Sequence, residues 1–182
     1  SAYGMPVDLE FTLQFVEGQH GRQNLNIHLL QCRPQSRLKT TERWSLPANL
    51  SKQNIVFSTH FVVPDGFVNG VRYVVFVPAE GYFKLKTQQQ RSKLVKAISS
   101  LNALLPGKSF ILVGPGRWGS SNADLGVPIN YGDIYGSAAL VEVTGSGIGV
   151  APEPSLGTHF FQDLMEAQIY PLAIDLNDSK TR

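Results

Sequence analysis

Apolar and polar residues alternate without a break at the start of the chain. Val7, Leu9, Phe11, Leu13 and Phe15 are separated by Asp8, Glu10, Thr12 and Gln14. A period of two predicts a half-buried strand. Turn-forming residues occupy 17–21, and "LNIHLLQC" (25–32) predicts a second strand ended by Pro34. The pair reads as an antiparallel hairpin with a long loop. Residues 35–54 are polar and weakly periodic, and read as a connector. "NIVFSTHFVV" (54–63) and "GVRYVVFVP" (70–78) predict strands on either side of the turn signal Pro64-Asp65-Gly66, and Phe83–Leu85 a further short strand.

The period then changes. Leu94, Ala97, Ile98, Leu101 and Leu104 recur at helical spacing. Thr87 with Gln90 fits a capping box, and Pro106-Gly107 stops the helix. "SFILVG" (109–114) is the apolar run of a buried strand, "AALVEV" (138–143) another, and "IYPLAID" (169–175) a last one. Between them Gly157–Ala167 predicts a helix that turns Phe160, Phe161, Leu164 and Met165 inward, capped by Ser155 or Thr158. No repeat or low-complexity segment interrupts the pattern. The expected fold class is α+β (mixed α/β): an N-terminal hairpin over 1–36, a connector over 37–54, and over 55–182 a small mixed-sheet domain with two main helices.

Composition narrows the functions open to this chain. Hydrophobic residues are 42% and charged residues 16% of 182, with a net charge of +2. No Lys/Arg cluster is dense enough for a nucleic-acid stripe, and no apolar run approaches the ~20 residues of a spanning helix. Neither nucleic acid nor membrane is expected as a partner. The single cysteine, Cys32, excludes an internal disulfide and suits a reducing cytoplasm. It sits on an apolar strand and reads as a small hydrophobe. The four histidines show no metal-ligand spacing. A Glu153–Asp163 carboxylate pair is only weakly suggested. Ser1-Ala2-Tyr3-Gly4 runs into the first strand without an initiator methionine, so the chain reads as a piece of a larger protein.

Two segments carry candidate chemistry. The first is "GPGRWGSSNADLGVP" (114–128), which leaves the end of a buried strand, where ligands bind in sheet-based folds. Gly114, Gly116 and Gly119 permit positive φ and close backbone approach. Successive N–H groups there can form an anion nest, Arg117 can grip phosphate or carboxylate, Ser120 and Ser121 add donors, and Trp118 can stack or exclude water. His159, in the first turn of its helix, is a further candidate contact. The loop is not a P-loop, and Pro115 is unusual in the G-x-G-x-x-G spacing it otherwise matches. The competing reading needs no ligand: Trp118 packs on the core, and Arg117 caps a helix or pairs with Asp124.

The second segment is the hairpin. Glu10 lies on the polar face of the first strand, and Gln31 and Arg33 share a face of the second. Carboxylate, amide and guanidinium suit a metal–nucleotide phosphate. The alternative is an ion pair of Glu10 with Arg33. Gln31 and Arg33 also share parity with the apolar Leu25, Ile27 and Leu29. Either that face changes character along the strand, or a bulge intervenes.

"VDLEF" (7–11) and "LLQCRP" (29–34) together resemble the end of the ATP-grasp-like nucleotide-binding domain of pyruvate phosphate dikinases and phosphoenolpyruvate synthases. The resemblance covers residues 6–34. It implies a cytoplasmic ATP-dependent phosphotransferase with ATP and Mg²⁺ as cofactors, Glu10 as the metal ligand, and Gln31 and Arg33 as phosphate contacts. The later segments, 113–128 and 154–164, resemble a C-terminal extension of such proteins and imply no role for Arg117 or His159. The subdomain that grips the α- and β-phosphates, the phosphohistidine domain and the pyruvate barrel have no counterpart here. The resemblance therefore implies at most half of an ATP site, inactive alone and completed by an upstream domain. The alternative is a regulatory module that binds a small anion through Gly114–Ser121. The oligomeric state is left open, a homo-oligomer included.

Overall fold

The structure is a computed structural model that describes residues 7–17, 23–34, 45, 47–59, 66–146, 148, 155 and 158–179. The chain divides into two compact units, 1–36 and 37–182. It belongs to the α+β class: the described residues form a two-stranded antiparallel sheet, a four-stranded parallel sheet and three α-helices.

The first unit is the hairpin of β1 (Val7–Glu17) and β2 (Gln23–Pro34). The ladder pairs Phe11 with Leu29, Leu13 with Ile27 and Phe15 with Leu25. Directly paired residues share a face, so these six form one apolar face, and Leu9 continues it. All seven are exposed, by 48% at Leu25 to 69% at Phe15. Glu10 pairs with Gln31, while its neighbour Phe11 pairs with Leu29. The register shifts between Glu10 and Phe11, and Leu30 is the extra residue of a bulge. This resolves the parity conflict read from the sequence: the bulge moves Gln31 and Arg33 to the polar face.

In the second unit, β3 (Tyr73–Phe76), β4 (Phe110–Pro115), β5 (Ala139–Thr144) and β6 (Tyr170–Asp175) lie side by side in chain order. Every pairing is parallel. The expected mixed sheet is therefore corrected to a parallel one. Right-handed crossovers that always step the same way put their helices on one face. That face holds the core: Phe110, Leu112 and Leu140 from the strands, Val77 just beyond β3, Ile98 of α2 (Gln88–Leu104) and Leu164 of α3 (His159–Glu166). On the opposite face Val74 and Phe76 are 60% and 62% exposed.

The predicted caps form. The Thr87 hydroxyl accepts from the Gln90 N–H, and the Gln90 side chain accepts from the Thr87 N–H. Thr158 caps α3 by accepting from the Phe161 N–H. Two expected strands are corrected. Phe83–Leu85 falls at and beyond the end of α1 (Ala79–Phe83), because Pro78 sets up a helical turn as its N-cap. Residues 55–59 make no ladder, and Thr59 reaches the Ala173 carbonyl through its side-chain hydroxyl. Residues 60–65, with Pro64 and Asp65 of the expected Pro64-Asp65-Gly66 turn, lie outside the described residues.

β4 carries a glycine one residue before its end for a packing reason. A Cβ on Gly114 would overlap the Trp118 ring and stand 3.1 Å from Cβ of Val77. Gly114→Ala must displace the indole from the core. We expect it to lower unfolding free energy by about 1–3 kcal/mol, read as a lower urea midpoint; an unchanged midpoint would show that the ring does not depend on this gap.

Candidate functional site

The glycine loop leaves β4 at the carboxyl end of the parallel sheet and folds back over it. Gly116 and Gly119 have φ of +69° and +71°, the left-handed conformation expected of them. Gly116 pairs with Gly126 in an isolated antiparallel bridge. A Cβ on either glycine would overlap backbone, of Leu125 in one case and Arg117 in the other. The loop is thus a closed turn-and-return over 116–126.

Four successive backbone donors, from Gly116 to Gly119, are engaged. The N–H of Gly116 donates to the Val143 carbonyl, that of Arg117 to Leu125 and that of Gly119 to Val127, at 2.8, 2.8 and 3.0 Å. The fourth, of Trp118, donates to Oε1 of Glu142 at 2.8 Å. The anion that this turn holds is the protein's own carboxylate. These four N–H groups are therefore not turned to an external anion, as the expected nest requires. Trp118 is only 1% exposed and belongs to the core, so it neither stacks on a ligand nor walls a surface site. Its Nε1 is buried without a hydrogen-bond partner among the described residues. Phe160 of α3 sits where a Gly119 side chain would be.

Glu142 was not singled out from the sequence. It lies on β5 beside Gly114 in register and is 4% exposed. Its second oxygen accepts from the Ser155 N–H at 2.8 Å. Burial pushes its carboxyl above the ordinary glutamate range. The Ser155 backbone and hydroxyl, the Trp118 N–H and the Arg117 charge oppose that shift. The available signal was a lone carboxylate inside the apolar run "AALVEV". Arg117 is half-buried and its charge acts on Glu142. Asp124, its expected partner in the reading without a ligand, pairs instead with Arg91 of α2, at 2.7 Å.

The far side of the loop is held by α1 and α2. The Tyr82 hydroxyl lies 2.6 Å from the carbonyls of Ala123 and of Gly126, so one proton serves two acceptors. Burial is the main cause that pushes this phenol up to about 12, which keeps it a donor at neutral pH. The Arg91 guanidinium carbon stands 5.7 Å from the Tyr82 ring centroid. The other candidates disperse. Ser120 accepts from the Asn122 N–H, Ser121 is exposed, and His159 is exposed at the first position of α3. Glu153 lies outside the described residues.

At the hairpin, Glu10 is exposed and Gln31 half-buried, directly opposite one another, and Arg33 pairs with Asp8 through the backbone ladder. The register places all four residues on one face. Among the described residues no three His, Cys, Asp or Glu side chains cluster as a metal site, and no helix is long and apolar enough to cross a membrane. Comparison with protein-family models, curated proteins and solved structures found no match.

The raised Glu142 carboxyl has a definite sign in pH. Between the ordinary glutamate value and its own, the native state binds the extra proton, so its contribution to stability falls as pH rises. Glu142→Gln removes that descent and leaves one of two N–H groups facing an amide donor, at a cost of about 1–3 kcal/mol. The stability advantage of the wild type over the variant is expected to shrink as pH rises through this window in urea unfolding. An advantage that grows would overturn the assignment.

Proposed function

We propose that this chain contributes part of a Mg–ATP site to an ATP-dependent phosphotransferase of the phosphoenolpyruvate synthase and pyruvate phosphate dikinase kind. The observation that carries the reading is the hairpin bulge. It brings Gln31 onto the face of Glu10, with Arg33 two residues further along the same strand, and seven large apolar side chains stand exposed on the opposite face. A two-stranded hairpin is marginal by itself in water. A hairpin with a polar cluster on one face and seven exposed large side chains on the other is built to be one layer of a larger domain, which supports its reading as the closing strands of a nucleotide-binding subdomain.

The residues fit Mg–ATP as half of a site. Mg²⁺ is commonly held by one or two carboxylates together with substrate phosphates and water, and Glu10 supplies one carboxylate. Arg33 offers a planar fork for phosphate oxygens, and Gln31 an amide for either partner. Phosphoryl transfer asks the protein mainly for positioning and neutralisation of charge, which these three groups provide without a nucleophile of their own. The cation for the α- and β-phosphates belongs to a second subdomain, so this chain alone binds without turning over.

Isothermal titration with Mg²⁺ and a non-hydrolysable ATP analogue tests this. The wild type is expected to bind weakly, Glu10→Gln to weaken the Mg²⁺-dependent part at least tenfold, and Arg117→Ala to bind like the wild type. Nucleotide binding that ignores Glu10→Gln would overturn the proposal.

A further inference from the structure

The one-sided winding of the sheet leaves a cleft of about 420 Å³ between α2 and the far end of the glycine loop. That volume lies within the range of small-molecule sites, roughly 300–1,000 Å³. Arg91, Ser92, Val95 and Lys96 face it from the helix, and Ser121 and Pro128 from the loop. These positions follow from the helical repeat: Gln88, Arg91, Ser92, Val95 and Lys96 are linked by steps of three and four residues, which share a side. The lining carries two cations and no acidic residue.

Arg91 is held in place. Its Nε donates to the Leu85 carbonyl at 3.1 Å, one Nη2 proton goes to Asp124 at 2.7 Å, and Tyr82 lies beneath it. Two of its five donors are accounted for by these bonds, and its side chain is 16% exposed. A guanidinium fixed from behind loses little freedom on gripping an anion. Lys96 adds a mobile second charge, and the hydroxyls of Ser92 and Ser121 add neutral donors on opposite walls. Val95 and Pro128 give an apolar floor for a short carbon body.

We propose that this cleft binds a small anionic metabolite that carries two phosphate or carboxylate groups close together, with Arg91 and Lys96 as its charged contacts. The site is separate from the hairpin and from the turn around Glu142. It retains Ser121 from the sequence-derived candidates, and it replaces the backbone nest with side chains of α2.

Amide NMR titration of the whole chain with inorganic pyrophosphate, phosphoglycolate and succinate at fixed ionic strength tests this. Saturable shifts are expected at residues 88–96 and 121–128. Lys96→Gln is expected to weaken the tightest of these ligands about tenfold, and Arg91→Gln by more. Lys93→Gln removes the same charge from the same helix outside the cleft, and is expected to change affinity less than twofold. Glu10→Gln is expected to have no effect, which separates this site from the hairpin proposal. If Arg91→Gln does not fold, Lys96→Gln against Lys93→Gln decides. Equal losses from the two lysine variants would reduce the effect to general charge attraction and overturn the proposal, as would an absence of saturable shifts with all three probes.

Discussion

A carboxylate withdrawn from water at the end of a parallel strand must be met by donors, and Glu142 draws them from two loops distant in sequence. The Trp118 peptide comes from the β4–β5 connection and the Ser155 peptide from the β5–α3 connection. Leaving a buried charge unmet costs more than either loop gains by wandering. Much of the upper surface of the second unit follows. With the Trp118 peptide fixed, its indole must lie over Gly114, the chain must reverse at two left-handed glycines, and Phe160 closes against the second of them. Tyr82 and Arg91 then secure the outer arm, with one shared proton and one ion pair.

The same economy of donors explains why the loop is not where an external anion meets backbone. A glycine-rich turn after a parallel strand is an anion-binding device in general physical terms. Here the device is used, but internally. The two sites proposed above rest instead on side chains: at the edge of the loop, where Ser121 lines the cleft with α2, and in the hairpin, where Glu10 and Gln31 stand in register. The hairpin obeys a different constraint: it lacks a second layer of its own, so its apolar face reads as half of a contact.

What was legible in the sequence is what local chemistry decides. The capping box of α2, its stop at Pro106-Gly107 and the strands β1 and β2 depend on neighbours within a few residues, and each formed, although the face of β1 read as buried is exposed. Even the parity clash at Gln31 carried information, because only a bulge or a change of face could satisfy it. The failures are long-range. Glu142 takes its donors from residues 24 and 13 positions away. Asp124 pairs across 33 residues with Arg91, although Arg117 is nearer in sequence. The strand read at Phe83–Leu85 yielded to a helix start at Pro78, a case of one backbone restraint outweighing a weak apolar run.

The order of the parallel sheet has a temporal consequence. Because its strands lie in space as they lie in sequence, each new strand meets a neighbour already made: β4 finds β3, β5 finds β4, β6 finds β5. No strand has to wait for a distant one or be inserted between two others. A nascent chain can therefore assemble this unit in the order it leaves the ribosome, and loop closures stay short at every step. The Ser155 peptide follows the turn over Trp118 in that order and precedes α3 and β6, so both donors to Glu142 are made before the last strand arrives.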